Sequence, residues 1–288
     1  GGQGGHHGHL FGSRRRLRHG GAGCRHDPRD PGWPYRSLAR DCGARTLSGN
    51  RCAEVGLAGA APAPVTGGRG TGSGRLAINA DTIEFGYDPT SQPNGVDDFG
   101  RTILGFADVQ LNATQRITAN QKGALSVYQS QATGTDGPRY EGGNLTLTAP
   151  LITGAGGSVN RIAAGGSLQV LAPASGRADA SATSLEAGVQ TGAELKLQGA
   201  TVRVDTTVAL PSGKLGIVAE GDIVLGDSAW LDLAGREIAL FDVRRYSWGG
   251  DLTLRSSAGN ITQAAGSTID LSARNNNAGL LSAIALDE

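Results

Sequence analysis

The chain has 288 residues, with 26 basic side chains against 26 acidic ones, 47 Gly, 11 Pro, 3 Cys and no Met. A formal net charge of zero argues against a protein held to nucleic acid by a basic face over its whole length. No apolar run reaches the ~18 residues of a membrane-spanning helix, and three cysteines are too few, and odd in number, for a disulfide framework. Three Trp, five Tyr and five Phe are a lean supply of aromatics for an enzyme pocket or a stacking platform.

The neutral total is a cancellation between two unlike segments. Residues 1–74 carry all five His, all three Cys and 11 Arg against four acids, a net of +7, so residues 75–288 carry 15 basic and 22 acidic side chains, a net of −7. The first segment has no sustained hydrophobic period. It runs through a Gly/His tract with His6, His7 and His9, a basic cluster at Arg14, Arg15, Arg16 and Arg18, a Pro-rich stretch from Asp27 to Pro34, and a Gly-rich linker from Gly67 to Gly74. Its apolar residues are scattered singly, so nothing offsets the entropy of ordering them, and the segment is expected to be disordered. The histidines lack a shaped site for a metal, and Cys24, Cys42 and Cys52 stand 18 and 10 residues apart, too far for zinc pairing. Neither metal nor cofactor is expected. The arginines read as a solvated charge run, and the Gly-rich stretch fits neither a phosphate loop nor a dinucleotide fingerprint. Twenty-three Arg against three Lys point to a GC-rich gene, and this composition is what such a gene yields out of frame. Much of residues 1–70 is therefore expected to be a frame error or a mispredicted start. The opening at Gly1, without a charged-then-apolar leader, suggests an interior or distal slice of a longer protein.

From Arg75 onward the pattern has period 2. Alternating runs appear at Leu76–Ile78, Thr82–Phe85, Val109–Leu111, Leu125–Tyr128, Leu145–Leu147 and Leu168–Leu171. They continue at Leu195–Leu197, Val202–Val204, Leu215–Val218, Ile223–Leu225, Leu231–Leu233, Ile238–Leu240, Leu252–Leu254, Ile261 and Ile269–Leu271. Each is three to five residues long, most are bounded by Gly, Asn, Asp or Ser, and no helical spacing persists, so residues 75–288 are expected to be all-β. Sandwiches use longer strands and more aromatics, although a single-domain sandwich remains the rival. Units of the form Gly-x-apolar-polar-apolar recur with starts at 145, 168, 195, 215, 231, 252 and 269. Steps near twenty residues predict a β-solenoid, in which stacked rungs share an aliphatic core that none could bury alone. At about twenty residues per rung and ~4.8 Å between rungs, the segment would make roughly ten rungs.

Residues 75–288 also resemble the filamentous haemagglutinin family of large exoproteins, the secreted partners of two-partner secretion. The resemblance lies in Leu104–Val109, Leu125–Ser130, Gly157–Ile162, Leu210–Leu215, Gln263–Ser267, Ile269–Ala273 and above all in Leu240-Phe241-Asp242-Val243 leading to Tyr246-Ser247-Trp248-Gly249-Gly250-Asp251. It implies a right-handed parallel β-helix, an outer-membrane two-partner-secretion transporter as partner of the full-length parent, and a secreted or cell-surface adhesin rod. The family's amino-terminal secretion motif has no counterpart, since Asn94-Gly95 follows Pro93.

The functional expectation is a structural and adhesive rod that attaches to a host surface or glycan without catalysis, with no nucleic acid bound and no transmembrane segment. The candidate ligand-contact aromatics are Trp230, Tyr246 and Trp248, which as packed loop residues would instead be structural. The alternatives are a carbohydrate-active β-helix enzyme, for which Asp222, Asp232, Asp242, Asp251 and Asp270 would have to converge, and the stalk of a contact-dependent toxin-delivery exoprotein. Asn112, Asn144 and Asn260 head Asn-x-Thr triplets that read as chance matches.

Overall fold

The computed structural model describes residues 72–86, 100–134, 137–178 and 191–286. The sequence readings made for residues 1–71, including the disorder and the His, Cys and Arg groups, and for Asn94-Gly95 lie outside these residues.

The described residues are all-β, without a helix, and the chain traverses them in seven passes. The first pass comprises β1 (Gly74–Phe85) and β2 (Gly100–Leu104). The second holds β3 (Phe106–Ala119), β4 (Lys122–Tyr128) and a hairpin of β5 (Ser130–Gly134) and β6 (Gly137–Glu141). The third runs through β7 (Asn144–Thr148), β8 (Leu151–Gly154) and β9 (Val159–Ala164), and the fourth has only β10 (Ser167–Leu171) and β11 (Glu194–Gly199). The fifth is β12 (Thr201–Asp205), β13 (Thr207–Ala209) and β14 (Lys214–Ala219). The sixth is β15 (Ile223–Leu225), β16 (Trp230–Asp232), a hairpin of β17 (Glu237–Leu240) and β18 (Val243–Tyr246), then β19 (Asp251–Ser256). The last is β20 (Ile261–Gln263), β21 (Thr268–Asp270) and β22 (Leu281–Ala285).

Strands from successive passes pair in parallel and form three ladders. The first joins β1, β3, β7, β10, β12, β15 and β20; the second joins the distal halves of β1 and β3 to β8, β13, β16 and β21. These two are arms of one curled sheet that meet in the long strands β1 and β3, while the third ladder is a separate sheet of β2, β4, β9, β11, β14, β19 and β22. Among the described residues antiparallel pairing is confined to the two hairpins and one isolated bridge.

Alternation along each strand sends every second residue inward, and the parallel register lines those residues up between passes. Leu76, Val109, Leu145, Leu168, Val202, Ile223 and Ile261 are consecutive partners in the first ladder. In the third ladder Leu125, Ile162, Leu197, Ile217 and Leu254 form the matching column. The central members Leu145, Leu168, Leu197 and Ile217 are fully buried, each contributing about 1.5–3 kcal/mol by removal from water. Arg101 precedes Leu125 in that column. It donates from Nη2 to the Gly86 carbonyl at 2.7 Å, and its burial lowers its pKa from the ordinary arginine value.

Corners need residues without bulk. A Cβ on Gly250 would sit 2.3 Å from the Gly213 carbonyl oxygen, and one on Gly279 only 1.8 Å from that of Gly250. Glycines thus stack on glycines where the chain enters the third ladder. Gly143 ahead of β7 has φ +88°, and a side chain there would meet the Gln129 nitrogen at 2.7 Å.

The count of passes corrects the roughly ten rungs expected from sequence. The recurring starts at 145 and 168 lie in the first ladder, those at 195, 215 and 252 in the third, and those at 231 and 269 in the second. Only the steps from 145 to 168 and from 195 to 215 stay within one ladder; the other four compare different ladders. Within one column the partners Val109, Leu145, Leu168, Val202, Ile223 and Ile261 are 36, 23, 34, 21 and 38 residues apart. The long steps contain excursions: the two hairpins and the stretch after Leu171. In that fourth pass the second ladder is skipped, and β8 pairs directly with β13. The gap is sealed by hydroxyls, as Thr206 Oγ1 donates to the Ala149 carbonyl and Thr207 Oγ1 to that of Ala178, both at 2.7 Å.

Replacing the fully buried Leu197 with Ala is expected to lower the unfolding free energy by about 3 kcal/mol in urea. Lys196→Ala, next to it but outward, is expected not to lower the midpoint, and a loss equal to that of the Leu197 variant would mean the inward–outward assignment is wrong.

Candidate functional site

The structure scatters the carboxylates considered for catalysis. Only Asp232 and Asp270 are register partners, on β16 and β21. Asp222 Oδ1 accepts the Asn260 backbone N–H at 2.8 Å, Asp251 Oδ1 that of Leu280 at 3.2 Å, and Asp270 Oδ1 that of Ser272 at 2.9 Å. Asp242 lies exposed at the turn of the β17–β18 hairpin. The side chain of Asp232 is only 4% exposed and is bound through Oδ2 by Arg236 Nη2. Its other oxygen accepts the Ala234 N–H at 3.2 Å.

That buried ion pair anchors the base of the β17–β18 hairpin. Arg236 also donates from Nη1 to the Ala234 carbonyl at 3.0 Å and from its backbone to Ser247 Oγ at 2.7 Å, while Ser212 Oγ lies 2.6 Å from Ser247 Oγ. On the hairpin flank Glu237 faces both Arg244 and Arg274. The turn presents Phe241 fully to solvent at φ +55°, a left-handed conformation that a bulky residue adopts only at a cost. Sequence reasoning did not single out Arg236 or Phe241 as functional. The first is recognisable only as a basic residue four places after an acidic one, and the exposure of the second has no local signal.

Among the described residues none of the three candidate aromatics stacks on another. Trp230 is half-buried on the second ladder, where the Arg177 guanidinium covers its ring at 4.6 Å from the centroid. Its Nε1 is buried without a hydrogen-bond partner, as is Arg177 Nη1. Tyr246 is half-buried at the end of β18, its carbonyl accepting from Asn276 Nδ2 at 2.7 Å. Trp248 is 62% exposed just beyond it. Among the described residues the stacked ring pair is a different one, Tyr128 on Tyr140, at 4.7 Å between centroids.

A shallow groove of about 440 Å³ lies against the first four passes, lined by Asn79, Asp81, Asn112, Thr114, Thr148 and Ser175 among others. Its polar groups staple passes together: Asn112 Nδ2 donates to Asn79 Oδ1, and Thr114 Oγ1 to Asp81 Oδ1, both at 2.9 Å. Two of the Asn-x-Thr asparagines are thus in use as cross-pass bridges, since Asn144 Nδ2 also donates to Asp108 Oδ1 at 3.1 Å. The described residues contain no group of three or more His, Cys, Asp or Glu arranged to hold a metal, and no helix long and apolar enough to cross a membrane.

No family model, characterised protein or solved structure matches the chain.

Two substitutions separate the anchoring side chains from the exposed ones. Arg236→Ala leaves Asp232 buried without its cation and is expected to cost about 3 kcal/mol of stability. Trp230→Ala removes the ring under Arg177 and is expected to cost about 2 kcal/mol, whereas Trp248→Ala should leave the thermal midpoint unchanged.

Proposed function

We propose that residues 75–288 wind as a right-handed parallel β-helix and serve as a structural, adhesive rod segment of a large bacterial surface or secreted exoprotein of the filamentous haemagglutinin kind. Its work is reach and attachment to a host surface or glycan, with no bond made or broken. The parent protein would leave the cell through an outer-membrane two-partner-secretion transporter.

One observation carries this reading. Seven passes repeat the same inward aliphatic columns, while what varies between them is the link between ladders: a hairpin in the second and sixth passes, and in the fourth a pass without a second-ladder strand among the described residues. A constant shaft with variable projections is the physical requirement of a scaffold that displays contacts along its length. The carboxylates also favour attachment over chemistry. Asp222, Asp251 and Asp270 are occupied as backbone caps, and Asp232 as the buried partner of Arg236.

The test is incubation of the purified chain with a panel of neutral and acidic polysaccharides, followed by sizing of the glycan and assay of newly formed reducing ends. Retention without shortening is the expected result. Release of shorter chains or of unsaturated sugar ends would establish a carbohydrate-active enzyme instead.

A further inference from the structure

The chain has only three lysines, Lys122, Lys196 and Lys214, and all three stand on the outward side of the third ladder. Outward residues there are set by the alternation: Leu125, Ile162, Leu197, Ile217 and Leu254 point into the core, and their exposed neighbours point away. Arg161 and Arg255 belong to the same side. The result is one cation in each of five consecutive passes: Lys122 on β4, Arg161 on β9, Lys196 on β11, Lys214 on β14 and Arg255 on β19.

The register sets them in three neighbouring outward columns: Lys122 and Lys214 in one, Arg161 and Lys196 in the next, and Arg255 in the third. Arg161 and Lys196 are direct Cα partners, a juxtaposition of like charges that destabilises a sheet unless something neutralises it. None of the five takes part in an ion pair among the described residues, whereas the ion pairs found there are made by Arg75, Arg203, Arg236, Arg244 and Arg274. Two acids share the side, Glu194 and Asp251, and they flank Lys214 as its direct Cα partners on either side; Asp251 also accepts the Leu280 N–H. The excess of three cations stands out because residues 75–288 as a whole carry 22 acids against 15 bases.

We propose that this outward side of the third ladder binds a linear acidic polysaccharide laid along the direction in which the passes stack. Neighbouring passes are ~4.8 Å apart, so the five cations span about 19 Å. That interval is close to the advance of one sugar ring along an extended polysaccharide, so consecutive acidic groups can meet Arg161 and Lys196 in one column while Lys122, Lys214 and Arg255 flank it in the neighbouring columns. Duplex DNA packs one charge per ~1.7 Å of axis and calls for a denser cation field. Single strands call for open aromatic faces, and the ring at the margin of this side, Tyr128, is already stacked on Tyr140. A bilayer calls for apolar anchors, and only Val159 and Ile284, the register partner of Arg255, are large, apolar and exposed beside the cations. The proposal names a ligand class for the attachment reading and rests on it for its setting.

The experiment uses the full chain and sodium alginate as a polyuronate probe, with neutral dextran, duplex DNA and phosphatidylglycerol vesicles beside it. Alginate is expected to bind at low ionic strength and to weaken steeply with salt. Arg161→Gln/Lys196→Gln should reduce alginate affinity at least tenfold with an unchanged circular dichroism spectrum and a melting temperature no lower than the parent's. A second variant, with Arg14, Arg15, Arg16 and Arg18 all changed to Ala, controls for the other basic cluster and should lose less. The proposal is overturned by absence of alginate binding, by a ladder variant that binds as well as the parent, or by loss confined to the amino-terminal variant. It is equally overturned if DNA or vesicles bind as tightly as alginate. Binding accompanied by shortening of the alginate would sink the attachment reading alone, leaving the ladder surface as the place of contact.

Discussion

Strands of three to six residues cannot be stable alone. Each offers two or three inward aliphatic side chains and a row of backbone donors and acceptors, and neither need is met within one pass. In-register parallel pairing meets both at once. The N–H and C=O groups of β10 are taken up by β7 on one side and β12 on the other, and the same pairing sets Leu168 between Leu145 and Val202. Shifting any strand by one residue would turn its leucines outward and bring Gln169 or Lys196 into the column, so the hydrophobic pattern and the ladder enforce a single register. Small residues follow from the same constraint. Passes that stack this closely leave no room for a Cβ at Gly213, Gly250 or Gly279.

Because the columns carry the stability, the corners are released from it. The chain leaves the stack after β4, after β10 and after β16, and each departure is anchored differently. Tyr128 stacks on Tyr140 at the first, Thr207 binds the Ala178 carbonyl at the second, and the Asp232–Arg236 pair closes the third. Buried ion pairs are weak sources of net stability. This one has a positional role, fixing where the β17–β18 hairpin departs and hence where Phe241 and Trp248 are displayed. The outward sides of the ladders are equally free of packing demands, and a sheet at fixed spacing turns that freedom into regular arrays of charge.

Much of the fold was legible because one side of most strands faces water. Leu145-Thr146-Leu147 and Leu195-Lys196-Leu197 alternate in sequence for the reason they alternate in space. Legibility stops where both sides are covered. β8 and β13 are buried at every position, so Leu151–Gly154 and Thr207–Ala209 show no period 2 and escaped notice. The length of a pass was misjudged because three ladders carry similar short motifs, and only the pairing tells which motif belongs to which. The candidate site was less legible still. The partnership of Asp232 with Asp270 spans 38 residues, and the cover that Arg177 places over Trp230 comes from a distant excursion. Neither offset follows from local pattern, since each depends on the lengths of the intervening loops.

The register itself can be measured directly by paired cysteines on outward positions, after Cys24, Cys42 and Cys52 have been changed to Ser. Thr146 and Gln169 are partners on neighbouring strands of the first ladder, and parallel neighbours lie within disulfide reach. The Thr146→Cys/Gln169→Cys chain should cross-link quantitatively under mild oxidation as a monomer, while Thr146→Cys/Lys196→Cys, which places the second thiol on the third ladder, should not. Failure of the first pair together with efficient cross-linking of the second would contradict the parallel stacking on which the whole account is built.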